Sequence, residues 1–190
     1  MTENKILQTP SQTVGPYFAY GLTAQQYSYE HSQIANSNLI NNENIKGEHI
    51  TIRGQVLDGQ ENFIPDAMIE IWQADADGNY NSESFKGFGR QGTGTNKNGS
   101  FIFETIKPGS VNGAAPHINV IVFMRGLLSH LYTRIYFSDE VVANEKDEVF
   151  NSVDDKRIIT LIADRVGDNN VEYIFNIRMQ GENETVFFDI

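Results

Sequence analysis

The sequence contains no cysteine, which excludes disulfides, thiolate catalysis and cysteine-built zinc or iron–sulfur centres. Any nitrogen ligands for a metal must come from four histidines. Basic residues are scarce, 14 Lys and Arg against 25 Asp and Glu, giving a formal net charge of -11. Nucleic acid and anionic membrane surfaces are therefore not expected partners, because the phosphate attraction that dominates such binding needs a basic face. An anionic small ligand needs a local cation. No apolar run approaches the ~18 residues of a membrane span. The opening MTENKILQTPSQ lacks the charged-then-apolar pattern of a signal peptide. A cytoplasmic protein is the expectation.

Sustained 3.6-residue periodicity is missing as well. Short segments of apolar alternation stand in its place, bounded by turn dipeptides, and this is the all-β signature. Ile50, Ile52 and Val56 mark a first strand; Ala67, Ile69 and Ile71 a second; Phe101 and Phe103 a third, ending near Ile106. Residues 117–124, 131–137, 157–163 and 171–179 supply four more, with a last candidate at Thr185 to Phe188. Asp58-Gly59, Asp77-Gly78, Asn98-Gly99, Pro108-Gly109 and Asn112-Gly113 separate them, each offering positive φ at little cost. Seven or eight strands in 190 residues predict a single domain, a two-sheet β-sandwich with long loops. Residues 1–48 read as an extended N-terminal arm and long loop, and residues 49–190 as the sandwich. The Asn- and Gln-rich stretch 25–47 reads as a surface excursion. Residues 139–155 read as a short, solvated acidic helix.

Several motifs fail on context. Gly87-Phe88-Gly89-Arg90-Gln91-Gly92 fits GxGxxG but leads into Thr93-Gly94-Thr95-Asn96 rather than an apolar helix. Asp75-Ala76-Asp77-Gly78 hints at a calcium loop, yet its glycine comes too early and Lys86 stands where the closing glutamate belongs. No GxSxG elbow exists. His31, His49 and His130 lack ligand-spaced neighbours and read as ordinary histidines, and Trp72, the only tryptophan, as core or interface packing.

The strand His117-Ile118-Asn119 is more informative. Residues i and i+2 share a face, so two histidines here would grip a metal, but the second is an amide, a poor ligand for a transition metal. Arg134 has the parity of Tyr132 and Tyr136, opposite to Thr133, Ile135 and Phe137, so it faces away from the expected core. Its guanidinium is suited to clamp a carboxylate, or else to pair with a surface acid. Gly15-Pro16 makes a stiffened bend, followed by Tyr17, an aromatic wall or a core anchor.

TPSQTVGPYF at 9–18, IEIWQADADGNY at 69–80, TIKPGSVNGAAPHINVIVF at 105–123 and LYTRIYFSDE at 131–140 together resemble the intradiol ring-cleavage dioxygenases. Order and spacing hold to the terminal GENETVFFDI, so nearly the whole chain is covered. The resemblance implies non-haem Fe(III) chemistry on a small aromatic acid and O2, the iron held by two tyrosinates and two histidines. Tyr80 and His117 match one of each. The second tyrosine falls on Ser110 or Val111 and the second histidine on Asn119, so the three matched positions Tyr80, His117 and Asn119 read as vestigial. The resemblance then implies no metal on this chain, with Fe(III) on a homologous beta subunit in a hetero-oligomer. The substrate-binding residues it implies here are Thr13, Gly15, Pro16, Tyr17 and Arg134. A self-sufficient dioxygenase of the same fold and a non-catalytic binding module remain as alternatives.

Overall fold

A computed structural model describes residues 9–15, 17–41, 45–167 and 171–189. Among the described residues nine strands dominate: β1 (His49–Leu57), β2 (Met68–Gln73), β3 (Phe88–Gly92), β4 (Ser100–Ile106), β5 (His117–Phe123), β6 (Leu131–Phe137), β7 (Ile162–Val166), β8 (Glu172–Ile174) and β9 (Ile177–Arg178). The helices, α1 (Phe18–Leu22) and α2 (Val141–Asn144), are about one turn each, too short to stand without packing. Among the described residues no helix is long and apolar enough to cross a membrane.

The strands form one mixed sheet in the order β3-β2-β5-β6-β7-β8-β1-β4, with β9 added to β1. Pairing is antiparallel except β6 with β7 and β1 with β8 and β9. The hydrogen-bonded path is thus continuous, so the all-β expectation holds while the sheet is mixed. Inward side chains from both ends of this path meet in one core: Ile50, Ile52 and Val56 of β1 and Phe101 and Phe103 of β4 with Ile69, Ile71, Ile118, Val120, Ile135 and Phe137. Gln91 of β3 accepts a hydrogen bond from the Ile102 amide of β4, linking the two ends.

Several elements differ from expectation for physical reasons. The Gly-rich GxGxxG stretch is strand β3, where a Cβ on Gly89 would come within 2.7 Å of Leu39; the glycine admits close packing rather than a phosphate. Residues 158–161 form a 3-10 turn before β7. Thr185 to Phe188 reduces to a single bridge between Phe188 and Tyr132. The stretch 25–47 is not merely a surface excursion. Ala35, Leu39 and Ile45 are buried, and the segment pairs with β4, Leu39 N donating to Glu104 O at 2.8 Å and Glu104 N to Ser37 O at 2.9 Å; Asn42 and Asn44 lie outside the described residues. Segment 139–155 is solvated only in part, since Asn144, Asp147 and Phe150 are buried.

Candidate functional site

Register assembles the site. In antiparallel pairs, directly opposed residues share a face. β5 with β6 pairs His117 with Tyr136, Asn119 with Arg134 and Ile121 with Tyr132. β2 with β5 pairs Trp72 with Asn119 and Glu70 with Ile121, and β2 with β3 adds Phe88 and Arg90 opposite Trp72 and Glu70. Four strands thus present one continuous outer face, opposite to the main core. Over it lies a cavity of about 490 Å³, floored by Glu70, Trp72, Phe88, Asn119, Ile121, Tyr132 and Arg134 and walled by Val149, Phe188 and Asp189. That volume suits a small organic ligand.

The walls are mainly aromatic and aliphatic, with few charges. Glu70 is engaged by Arg90, whose Nε donates to it at 2.7 Å, both groups being largely buried. Among the described residues Arg134 makes no ion pair; its Nη1 donates to the Tyr136 hydroxyl at 3.3 Å. Pairing with a surface acid is therefore not what occupies this guanidinium. Arg134 faces away from the main core, as its parity predicts. Its neighbour Tyr136 does not reach solvent, because Ala115, Phe150 and Leu161 close a second, smaller core over it.

The Tyr136 hydroxyl donates to Asp147 Oδ1 at 3.1 Å. Asp147 also accepts from the backbone of Ala115 and of Phe150, each at 2.8 Å. Burial raises the Asp147 carboxyl, but these backbone donors outweigh it and hold the group below its ordinary value. Burial, reinforced by the Asp147 charge, pushes the Tyr136 phenol up to about 12 against the opposing pull of Arg134. His117 is buried beside Tyr136, ring centroids 5.9 Å apart. Burial pulls its imidazole below the ordinary value, with the Arg134 charge adding to this and the Ala115 carbonyl opposing it. Its Nδ1 bonds that carbonyl at 2.7 Å.

The positions matched to iron ligands come together without forming a ligand set. Asn119 Nδ2 donates to the Tyr80 hydroxyl at 3.0 Å and to the Trp72 carbonyl at 3.3 Å, so an N–H rather than a lone pair faces the phenol. The Tyr80 loop and the Ser110 loop touch backbone to backbone, Gly109 N donating to Asp75 O at 2.8 Å. Ser110 and Val111 bring no phenol there. Among the described residues no group of three or more His, Asp or Glu is placed to hold a metal. One imidazole and one phenol beside an amide donor do not fit a ferric ion, which favours several anionic oxygen ligands.

The arm lies elsewhere. Thr13 Oγ1 accepts from Gly126 N at 2.9 Å and the Ser11 hydroxyl donates to Leu128 O, so residues 11–14 rest on the β5–β6 turn. Phe123 beneath them is four residues from Asn119, roughly 13 Å along the strand. Tyr17 is 78% exposed, its ring tilted against that of Tyr20 with centroids 5.8 Å apart; Gly15 has open space around its α-carbon, and Pro16 lies outside the described residues. No described arm residue lines the Arg134 cavity. Sequence reasoning missed Glu70, Phe88, Val149 and the tail residues Phe188 and Asp189. Trp72, expected to pack in the core or an interface, is not in the core: it is 43% exposed on the cavity floor. Its pairing opposite Asn119 was readable once the β2–β5 register was known.

Known proteins agree with this architecture. A family described as dioxygenase matches residues 15–115. The protocatechuate 3,4-dioxygenase alpha chain of Burkholderia cepacia is 48% identical, covering 96% of this chain and 98% of the relative. That of Pseudomonas putida is 43% identical, covering 96% of each. The beta chain of the Burkholderia cepacia enzyme is 30% identical over 78% of this chain and 71% of its own length. Among solved structures, a dioxygenase domain from Streptomyces sp. SirexAA-E superposes with a TM-score of 0.65 at 26% identity, covering 95% of this chain and 100% of that one. An intradiol ring-cleavage dioxygenase from Tetranychus urticae gives 0.63 at 22% identity, covering 91% and 94%. With the motif order, the outer-face cavity and near full-length identity in agreement, the chain belongs to the intradiol ring-cleavage dioxygenase family.

Proposed function

We propose that this chain is the alpha subunit of a protocatechuate 3,4-dioxygenase, working in the cytoplasm in a hetero-oligomer with an iron-bearing beta subunit. The reaction inserts both atoms of O2 between the two hydroxyl-bearing carbons of protocatechuate. The bond between those carbons breaks, and 3-carboxy-cis,cis-muconate results. The non-haem Fe(III) belongs to the beta subunit, and this chain contributes part of the substrate pocket. The observation that carries the reading is the 48% identity to an alpha chain over nearly all of both sequences. The misfit of Tyr80, His117 and Asn119 to a ferric ion supports it.

In this reading Arg134 engages the substrate carboxylate with two parallel hydrogen bonds. Thr13, Gly15, Pro16 and Tyr17 belong to an arm that reaches toward the partner and supplies part of the substrate wall there, a reading favoured by the exposure of Tyr17 and the distance of Thr13 from this chain's own cavity. Residues 1–190 act as one domain, an arm and loop to residue 48 and then the sheet. We read that sheet as folded over into two packed layers, the shared core of β1 and β4 with β2, β5 and β6 supporting it. Co-expression tests the assignment: with an intact beta partner the complex contains iron and cleaves protocatechuate, and this chain alone does neither. Stoichiometric iron and activity on the isolated chain would overturn it.

A further inference from the structure

Among the described residues Arg134 is the one cation lining the cavity, and a chain of hydrogen bonds runs from it into the second core. Arg134 Nη1 donates to the Tyr136 hydroxyl at 3.3 Å, that hydroxyl donates to Asp147 Oδ1 at 3.1 Å, and Asp147 is pinned by two backbone amides at 2.8 Å. Tyr136 and Asp147 are 0% and 1% exposed. A phenol has one proton and two lone pairs. Given to Asp147, that proton leaves only acceptor capacity toward Arg134, so the direction of every bond is fixed. With the phenol's titration pushed up to about 12, this polarity persists across the working range of pH.

A flexible arginine loses rotamer freedom when it binds a carboxylate, and a guanidinium already oriented loses less. Resting on the reading above, in which Arg134 receives the substrate carboxylate, we propose that Tyr136 is a positioning residue for that arginine. Tyr136, braced by Asp147, sets the plane and reach of the guanidinium before substrate arrives. It does not touch substrate. Two of the neighbouring titratable groups are engaged elsewhere. His117 lies against the Tyr136 ring with its Nδ1 committed to Ala115, and Glu70 is committed to Arg90.

The test uses the assembled holoenzyme and compares protocatechuate with catechol, which lacks the carboxylate. Tyr136→Phe leaves Asp147 both of its backbone donors, so the second core keeps its shape. The expected result is a rise of about fivefold to tenfold in KM for protocatechuate, the scale of one ordinary net hydrogen bond. kcat stays near wild type and the catechol parameters stay unchanged. Arg134→Ala should show a larger loss with the same selectivity, and Tyr136→Phe added to Arg134→Ala should cost nothing more. Asp147→Asn, which keeps the phenol but removes the anion beneath it, should move the protocatechuate KM in the same direction. The ratio of the two substrates within one preparation is independent of the folded fraction, so a weakly assembling variant still gives an answer. Equal losses on both substrates for Tyr136→Phe, with Arg134→Ala selective, would overturn the positioning role alone. Equal losses for Arg134→Ala would overturn the carboxylate reading itself.

Discussion

At residue scale, Asn119 is the position on which the chemistry turns. Histidine there would share the outer face with His117 and stand within reach of Tyr80, but the chain has an amide whose nitrogen donates to the Tyr80 hydroxyl at 3.0 Å. Replacing Asn119→His supplies a second imidazole without a second phenolate, since Ser110 and Val111 stand at the matching loop position. Ferric affinity depends on hard anionic oxygens more than on a further nitrogen. The purified Asn119→His chain should therefore remain iron-free by metal analysis after incubation with ferric or ferrous salt, and should lack the visible charge-transfer band of an iron tyrosinate. A stoichiometric iron content would show that a single residue had silenced the site. The same substitution removes the amide bond to Trp72, so a small change in the fluorescence of that one tryptophan accompanies it.

At the scale of elements, ionisable clusters join strands that the sequence separates widely. Lys107, just past β4, bonds Asp139 and Glu140, just past β6, at 2.9 Å and 2.7 Å. The Tyr173 hydroxyl of β8 reaches the same Asp139 at 3.0 Å. Burial alone would lower the Lys107 ammonium, but Glu140 and Asp139 reverse this and hold it above its ordinary value. Burial pushes Tyr173, like Tyr136, up to about 12. Above the ordinary tyrosine value of 10.0 an unfolded chain releases protons that the folded chain keeps, so stability falls with rising pH from there toward about 12. At the other end, Asp139 and Asp147 titrate below the ordinary 3.8. Burial pushes both upward, and the hydrogen bonds to Lys107 and Tyr173, or to Phe150 and Ala115, prevail. Their contribution is present above pH 3.8 and disappears as pH falls through the lower folded values. Thermal unfolding across pH should trace a plateau with both shoulders, and replacing Lys107→Met should cut the acid shoulder, because the hydrogen bond from Lys107 is the chief influence holding Asp139 down.

Most strands were legible because alternation reports a half-buried face directly: β1, β2, β4, β5 and β6 fall where Ile52, Ile69, Phe103, Val120 and Ile135 place them. β3 was not, since Gly87, Gly89 and Gly92 erase the alternation, and its pairing to β2 is imposed by tertiary packing. The parity of Arg134 was readable, but not the burial of Tyr136, which depends on Phe150 and Leu161 folding over it from distant sequence. The charge run 139–155 hid Asp147 for the same reason: its backbone donors at Ala115 and Phe150 carry no signal in composition.

At the scale of the whole molecule, the C-terminal tail closes the architecture and walls the cavity together. Thr185 N donates to Arg178 O at 2.9 Å, and Phe188 N to Tyr132 O at 2.8 Å. Thr185 Oγ1 accepts from Arg178 N at 2.9 Å, Val186 N donates to Thr160 Oγ1 at 3.1 Å, and Thr133 Oγ1 donates to Val186 O at 2.7 Å. One short segment thereby binds β9, the 3-10 turn before β7, and β6, elements spread along the sheet order. Deleting residues 185–190 removes these five bonds and exposes the edges they covered. At ~1 kcal/mol each the cost is about 5 kcal/mol, a large part of a typical folding free energy. For a chain of this size that corresponds to a fall in Tm of about 10–20 °C. The same deletion takes away Phe188 and Asp189, one wall of the Arg134 cavity, so protocatechuate KM should rise in the assembled enzyme even below the lowered Tm. A truncated chain that melts within a degree or two of wild type would show that the tail merely rests on the sheet, and the cavity wall would then have to be held by the partner subunit instead.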